Sequence, residues 1–246
     1  MAVKSLRPFD GARPEVTSLA FSQVLTNQLI QRCRVEQTTV HAALVATASQ
    51  VLAGVQHQQH VRVVSPIDIR KLLRVDNDCA LYFNVTRTAF TTEQSQNFWD
   101  VARATGAQLI QGRAEATTRF VLALTEQLIP TDADHAAARN FLMGGSSFEL
   151  FISNLGMLET LDSSSVRLTA IWGPILLTQS QGESVLGVAT LNGQLRLVSA
   201  SHAPIPNFLT LIQDSLATHL QLPSTGAQNV AETGYLRGLM AQETSY

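Results

Sequence analysis

Residues 184–200 read SVLGVATLNGQLRLVSA, two β-rich runs (184–191 and 194–200) on either side of Asn192-Gly193. A two-residue type I′ turn needs positive φ at both central positions, which Asn and Gly tolerate best, so this segment predicts a β-hairpin. Working outward from it, residues 148–152, 166–171 and 175–178 are short apolar or β-branched runs that predict further strands. After the hairpin, Pro204 and Pro206 introduce a last helix, in which Phe208, Leu211, Ile212, Ser215, Leu216 and Leu220 keep helical spacing.

The other half of the chain reads differently. Residues 16–21 form a short strand, after which Ser22 is placed to cap a helix over 22–35, with Leu25, Leu29 and Cys33 in one stripe. Thr38 or Thr39 opens a second helix over 39–53, with Val40, Leu44, Ala48, Val51 and Leu52 as its buried face and Gly54 as its stop. Residues 61–64 and 80–90 are strands, and a long helical stretch over 98–128 is interrupted at Gly106 and Gly112 and ended by Pro130. A weaker helix follows Thr131 and breaks at Gly144-Gly145, and a short helical segment is expected near 236–240. The reading is a mixed α/β (α+β) domain, a largely antiparallel mixed sheet with the helices 22–35 and 39–53 over one face. Residues 1–15 form an arm or linker, 16–222 the folded lobe and 223–246 a polar tail.

Composition narrows the function. Of 246 residues 45% are hydrophobic and only 15% charged, against about 25% charged in an ordinary globular domain. The net charge of −2 provides no electrostatic footprint for nucleic acid or an anionic membrane. No apolar run approaches the roughly 18–20 residues of a membrane span, and residues 1–15 lack the apolar stretch of a signal peptide. A cytoplasmic location is the expectation. Cys33 and Cys79 have no partner at metal-ligand spacing, and Cys33 reads as a buried free thiol.

Chemistry is sparse. His57 and His60 fall in a Gln-rich turn, which reads as a solvated loop, and His41 on a helical first turn reads as packed or capping. No nucleophile elbow, P-loop or dinucleotide fingerprint occurs. Trp172-Gly173-Pro174 marks a sharp turn, where the Trp either anchors a sheet corner or walls an apolar ligand. Ser153-Asn154-Leu155-Gly156 is the most informative polar cluster. An Asn there either closes a turn hydrogen bond or donates to a carbonyl oxygen, and composition does not choose between them.

Five ordered segments resemble a known family. CRVEQTTVHAAL (33–44), VVSPIDIR (63–70), DCALYFNV (78–85) followed by FWDVAR (98–103), and SNLG (153–156) are similar to successive motifs of alcohol O-acetyltransferases and phthiocerol dimycocerosyl transferase-like proteins. They belong to the superfamily that includes chloramphenicol acetyltransferase and peptide-synthetase condensation domains. The resemblance covers about residues 16–220 and falls within the second, C-terminal lobe of a two-lobed enzyme. It implies a chloramphenicol acetyltransferase-like lobe and transfer of an acyl group from a thioester, coenzyme A or a carrier protein, to an alcohol or amine, in specialised metabolism. The implied general base is the second histidine of His-His-x-x-x-Asp-Gly in the other lobe, and this sequence contains no His-His pair. No catalytic residue and no metal ligand is therefore assigned, and no bound cofactor is expected beyond the acyl thioester co-substrate.

What the resemblance does imply is a wall. Asn84, Ser153, Asn154 and Trp172 are expected at strand ends that meet substrate, beside an apolar seam. The expected partner is an N-terminal acyltransferase lobe, from the same gene or another chain, or a second copy. The alternative is a non-catalytic binding module derived from that lobe. An unrelated hydrolase with a dispersed triad is a third, weaker reading.

Overall fold

The computed structural model describes residues 5–8, 10–75, 78–92, 97–129, 131–145, 147–159 and 165–221. The expected tail 223–246, with its short helix near 236–240, lies outside the described residues. In chain order the elements are β1 (Glu15–Ala20), α1 (Gln23–Val35), α2 (Val40–Gln56), β2 (His60–Asp68), α3 (Arg70–Leu73) and β3 (Phe83–Thr91), then α4 (Phe98–Gly112), α5 (Glu115–Leu128), α6 (His135–Gly145), β4 (Leu150–Leu158), β5 (Ser184–Leu191), β6 (Gln194–Ser201) and α7 (Phe208–His219).

Local chemistry starts the first two helices. Ser22 Oγ accepts from the Leu25 N–H at 3.1 Å and Thr39 Oγ1 from the Ala42 N–H at 3.1 Å, each satisfying a donor that the helix leaves open. Gly54 does not stop α2. The helix runs on to Gln56 and ends where His57 adopts a left-handed conformation. The long stretch 98–128 breaks near Gly112 but not at Gly106, which lies against Thr38 and Ala42 and lets α4 approach α2 closely.

The strands form one mixed sheet in the order β1-β6-β5-β4-β2-β3. β1–β6, β5–β6 and β2–β3 are antiparallel, whereas β2–β4 and β4–β5 are parallel. The hairpin turns at Asn192-Gly193 with φ of 53° and 70°, as the type I′ reading requires. One face of the sheet, through Leu150, Ile152, Leu186, Val188, Leu195 and Leu197, packs against α1, α2, α4 and α7 as the main core. The other face carries a smaller cluster of Val64, Phe151, Val185 and Ala200, on which Leu177 rests.

The expected strands at 166–171 and 175–178 are not strands. β5 already pairs with β4 on one side and β6 on the other, so no ladder position is open beside it. The segment instead crosses the second face, where the Pro174 carbonyl occupies the space a Cβ on Gly187 would fill. All eight residues of β5 are consequently buried. Part of the expected N-terminal arm is also attached: Arg7 N–H donates to Gln179 O at 2.7 Å, and Gln181 N–H to Ser5 O at 2.9 Å. No single helix among the described residues is long and apolar enough to cross a membrane.

Candidate functional site

The parallel strands β2 and β4 hold one another at two register positions, Val63↔Leu150 and Val64↔Phe151. Beyond these they share no ladder pair among the described residues, although β2 continues to Asp68 and β4 to Leu158. The carboxyl ends of the two strands therefore part, and such ends are where open sheets receive ligands. Just before the parting, Glu149 clamps the two strands. Its carboxylate accepts from Arg62 backbone N–H at 2.8 Å, Nε at 3.0 Å and Nη2 at 2.6 Å.

Three side chains, on β2, β3 and α2, carry buried polar atoms without hydrogen-bond partners. Ser65 and Thr86 are Cα partners across β2 and β3, both are buried, and neither hydroxyl has a hydrogen-bond partner. His41 stands in the first turn of α2 with both ring nitrogens buried and unpartnered, next to Ala42, which packs with Ile67 and Leu109. Burial pushes its imidazole from 6.5 down to about 4, with a smaller contribution from the Arg113 guanidinium. A group so low is a poor general base near neutral pH. The sequence reading as a packed residue is the one its environment supports.

That environment has a measurable consequence. In the unfolded chain His41 binds a proton below about pH 6.5, whereas the folded chain resists it until about pH 4. Its stabilising effect is thus complete above pH 6.5 and is lost as the pH falls toward 4. His219, stacked on Phe98 at 3.9 Å and lowered by burial, acts in the same direction. Urea denaturation is expected to lose about 2 kcal/mol from His41 alone between pH 7.5 and pH 5. A His41→Phe variant with the same pH slope as the parent would remove this assignment.

The residues expected at the wall divide between the two faces. Asn84 is buried opposite Ile67, where its Nδ2 donates to Gly112 O at 3.3 Å and its Oδ1 accepts from Val85 N–H at 2.7 Å. It thereby ends α4, a task no local pattern announces. Asn154 pairs with Val188, a helix-face residue, and its Oδ1 accepts from the Gly156 N–H at 2.8 Å. This Asx turn shapes the irregularity between Asn154 and Met157. Among the described residues its Nδ2 makes no hydrogen bond, so the amide can still serve as a donor.

Ser153 pairs with Gly187 and faces the opposite side, where Gly173-Pro174 crosses. Trp172 lies on that side too, with the Arg196 guanidinium 5.6 Å from its ring centroid and Arg196 Nη2 bonded to Gln194 Oε1 at 2.6 Å. Ser153 and Trp172 thus share one face, and Asn84 and Asn154 the other. Sequence reasoning missed Ser65 and Thr86 because no signal distinguishes a buried unpaired hydroxyl from an ordinary strand residue.

Among the described residues no group of three or more His, Cys, Asp or Glu side chains is placed to hold a metal ion. Cys33 and Cys79 are both free, Cys33 buried with its thiol raised to about 12 by desolvation and by Glu36. It is an inert core residue.

No family model matches this sequence, and no curated protein matches it. Solved structures do match. The epimerization domain from the third module of tyrocidine synthetase B aligns with a TM-score of 0.58 at 14% identity, over 89% of this chain and 51% of that one. The trichothecene 15-O-acetyltransferase of Fusarium sporotrichioides aligns at 0.60 and 12%, over 85% and 47%. The wax ester synthase/diacylglycerol acyltransferase of Marinobacter aquaeolei VT8 aligns at 0.55 and 12%, over 85% and 48%. This chain spans about half the length of each. At these identities the likeness establishes the fold: a mixed α/β lobe of the condensation-domain and chloramphenicol acetyltransferase-like type, as the ordered motifs implied.

Proposed function

We propose that this chain is the C-terminal-type lobe of an acyltransferase, working beside an N-terminal lobe that carries His-His-x-x-x-Asp-Gly. The acyl group passes from a thioester, of coenzyme A or a carrier protein, to an alcohol or amine of specialised metabolism in the cytoplasm. One observation carries the reading: most of this chain superposes on only about half of several solved chains, among them an acetyltransferase and a wax ester synthase. Two others support it. His41, in the first turn of α2, is held near 4 by burial, which makes it a weak base near neutral pH. The carboxyl end of β4 and the segment after it expose apolar side chains at Leu155, Met157, Val166 and Leu176, as a covered seam would.

On this reading Asn154 offers its free amide to the thioester carbonyl, where charge develops during attack. Ser153 and Trp172, on the other face of the sheet, take no part in that contact, and Asn84 holds the end of α4 in position. The partner lobe belongs to the same gene, to a separate chain, or to a second copy.

The purified chain with acetyl-coenzyme A and a panel of alcohols is expected to give no turnover above buffer. General acid–base help is worth roughly 10²–10⁴-fold, and it is missing here. Adding a lobe with His-His-x-x-x-Asp-Gly encoded next to this chain should produce activity that depends on both parts. Turnover by the isolated chain that a single histidine substitution abolishes would overturn the split-site reading. Stable binding of the second lobe without turnover would favour the non-catalytic module instead.

A further inference from the structure

We draw no further inference here: the strongest candidate, the exposed apolar stripe of Phe120, Leu124 and Leu128 along α5, carries nothing because nothing in the structure shows what covers it.

Discussion

A Gly187→Ala variant is expected to lose about 3 kcal/mol of stability or more, the upper end of what overpacking a buried site costs. A Cβ at this position would stand 2.0 Å from the Pro174 carbonyl oxygen, 2.9 Å from its carbon and 3.0 Å from the Gly173 carbonyl carbon. All three are backbone atoms, so no side-chain rotation relieves the clash. β5 cannot shift either, since β4 and β6 hold it on both sides. The remaining response is to lift the segment around Pro174 off the sheet, which uncovers Val185 and the cluster with Phe151 and Ala200. Urea midpoints of this variant and of Gly54→Ala make the comparison. A Cβ at Gly54 meets nothing within 4 Å in the interior of α2, so that change should stabilise the fold by up to ~1 kcal/mol. Equal midpoints for Gly187→Ala and the parent would show that the crossing segment does not pack on β5 as described.

The second large effect is expected from Arg62→Met, at roughly 2–4 kcal/mol, because it takes from the largely buried Glu149 carboxylate the guanidinium that makes two of its hydrogen bonds. The side chains of Arg62 and Glu149 are 20% and 10% exposed, which places the cost below that of a fully buried pair. Position makes this pair matter more than its chemistry. β2 and β4 share only two ladder pairs, and the Glu149 carboxylate with its three donors from Arg62 stands directly before them. Losing it should loosen the join between the β2–β3 half of the sheet and the rest. Amide exchange at Val63, Val64 and Phe151 should accelerate more than at Val188 or Leu197. The Arg62→Met/Glu149→Leu double variant should recover much of the loss, since it removes the largely buried carboxylate together with its guanidinium partner. A double variant no more stable than the single one would mean that the side chains act as packing rather than as an ion pair.

The residues that read correctly from sequence are those whose physics is complete within a few neighbours. Asn192-Gly193 turns the hairpin because only those two backbones must reach positive φ. Ser22 and Thr39 start their helices because each side chain reaches an N–H three residues on. The stripe Leu25, Leu29 and Cys33 is buried because helical periodicity alone sets it on one face. The mixed α/β lobe followed from such local units in order.

What tertiary structure decided is every property that depends on a place being already taken. Residues 166–178 have the composition of strands, yet β5 has a neighbour on each side, so the segment crosses the sheet instead of joining it. Asn84 reads as a polar residue on a strand, and only the arrival of the α4 carboxyl end makes its amide a cap for Gly112. Asn154 and Ser153 are adjacent in sequence and face opposite ways, because alternation along β4 puts one beside Val188 and the other beside Gly187. His41, Ser49 and Thr88 are ordinary residues of helix and strand by pattern. Their unpaired buried atoms arise from how α2, α4 and β3 meet, and hydrogen-bond satisfaction is a sum over all neighbours in space that no stretch of sequence contains.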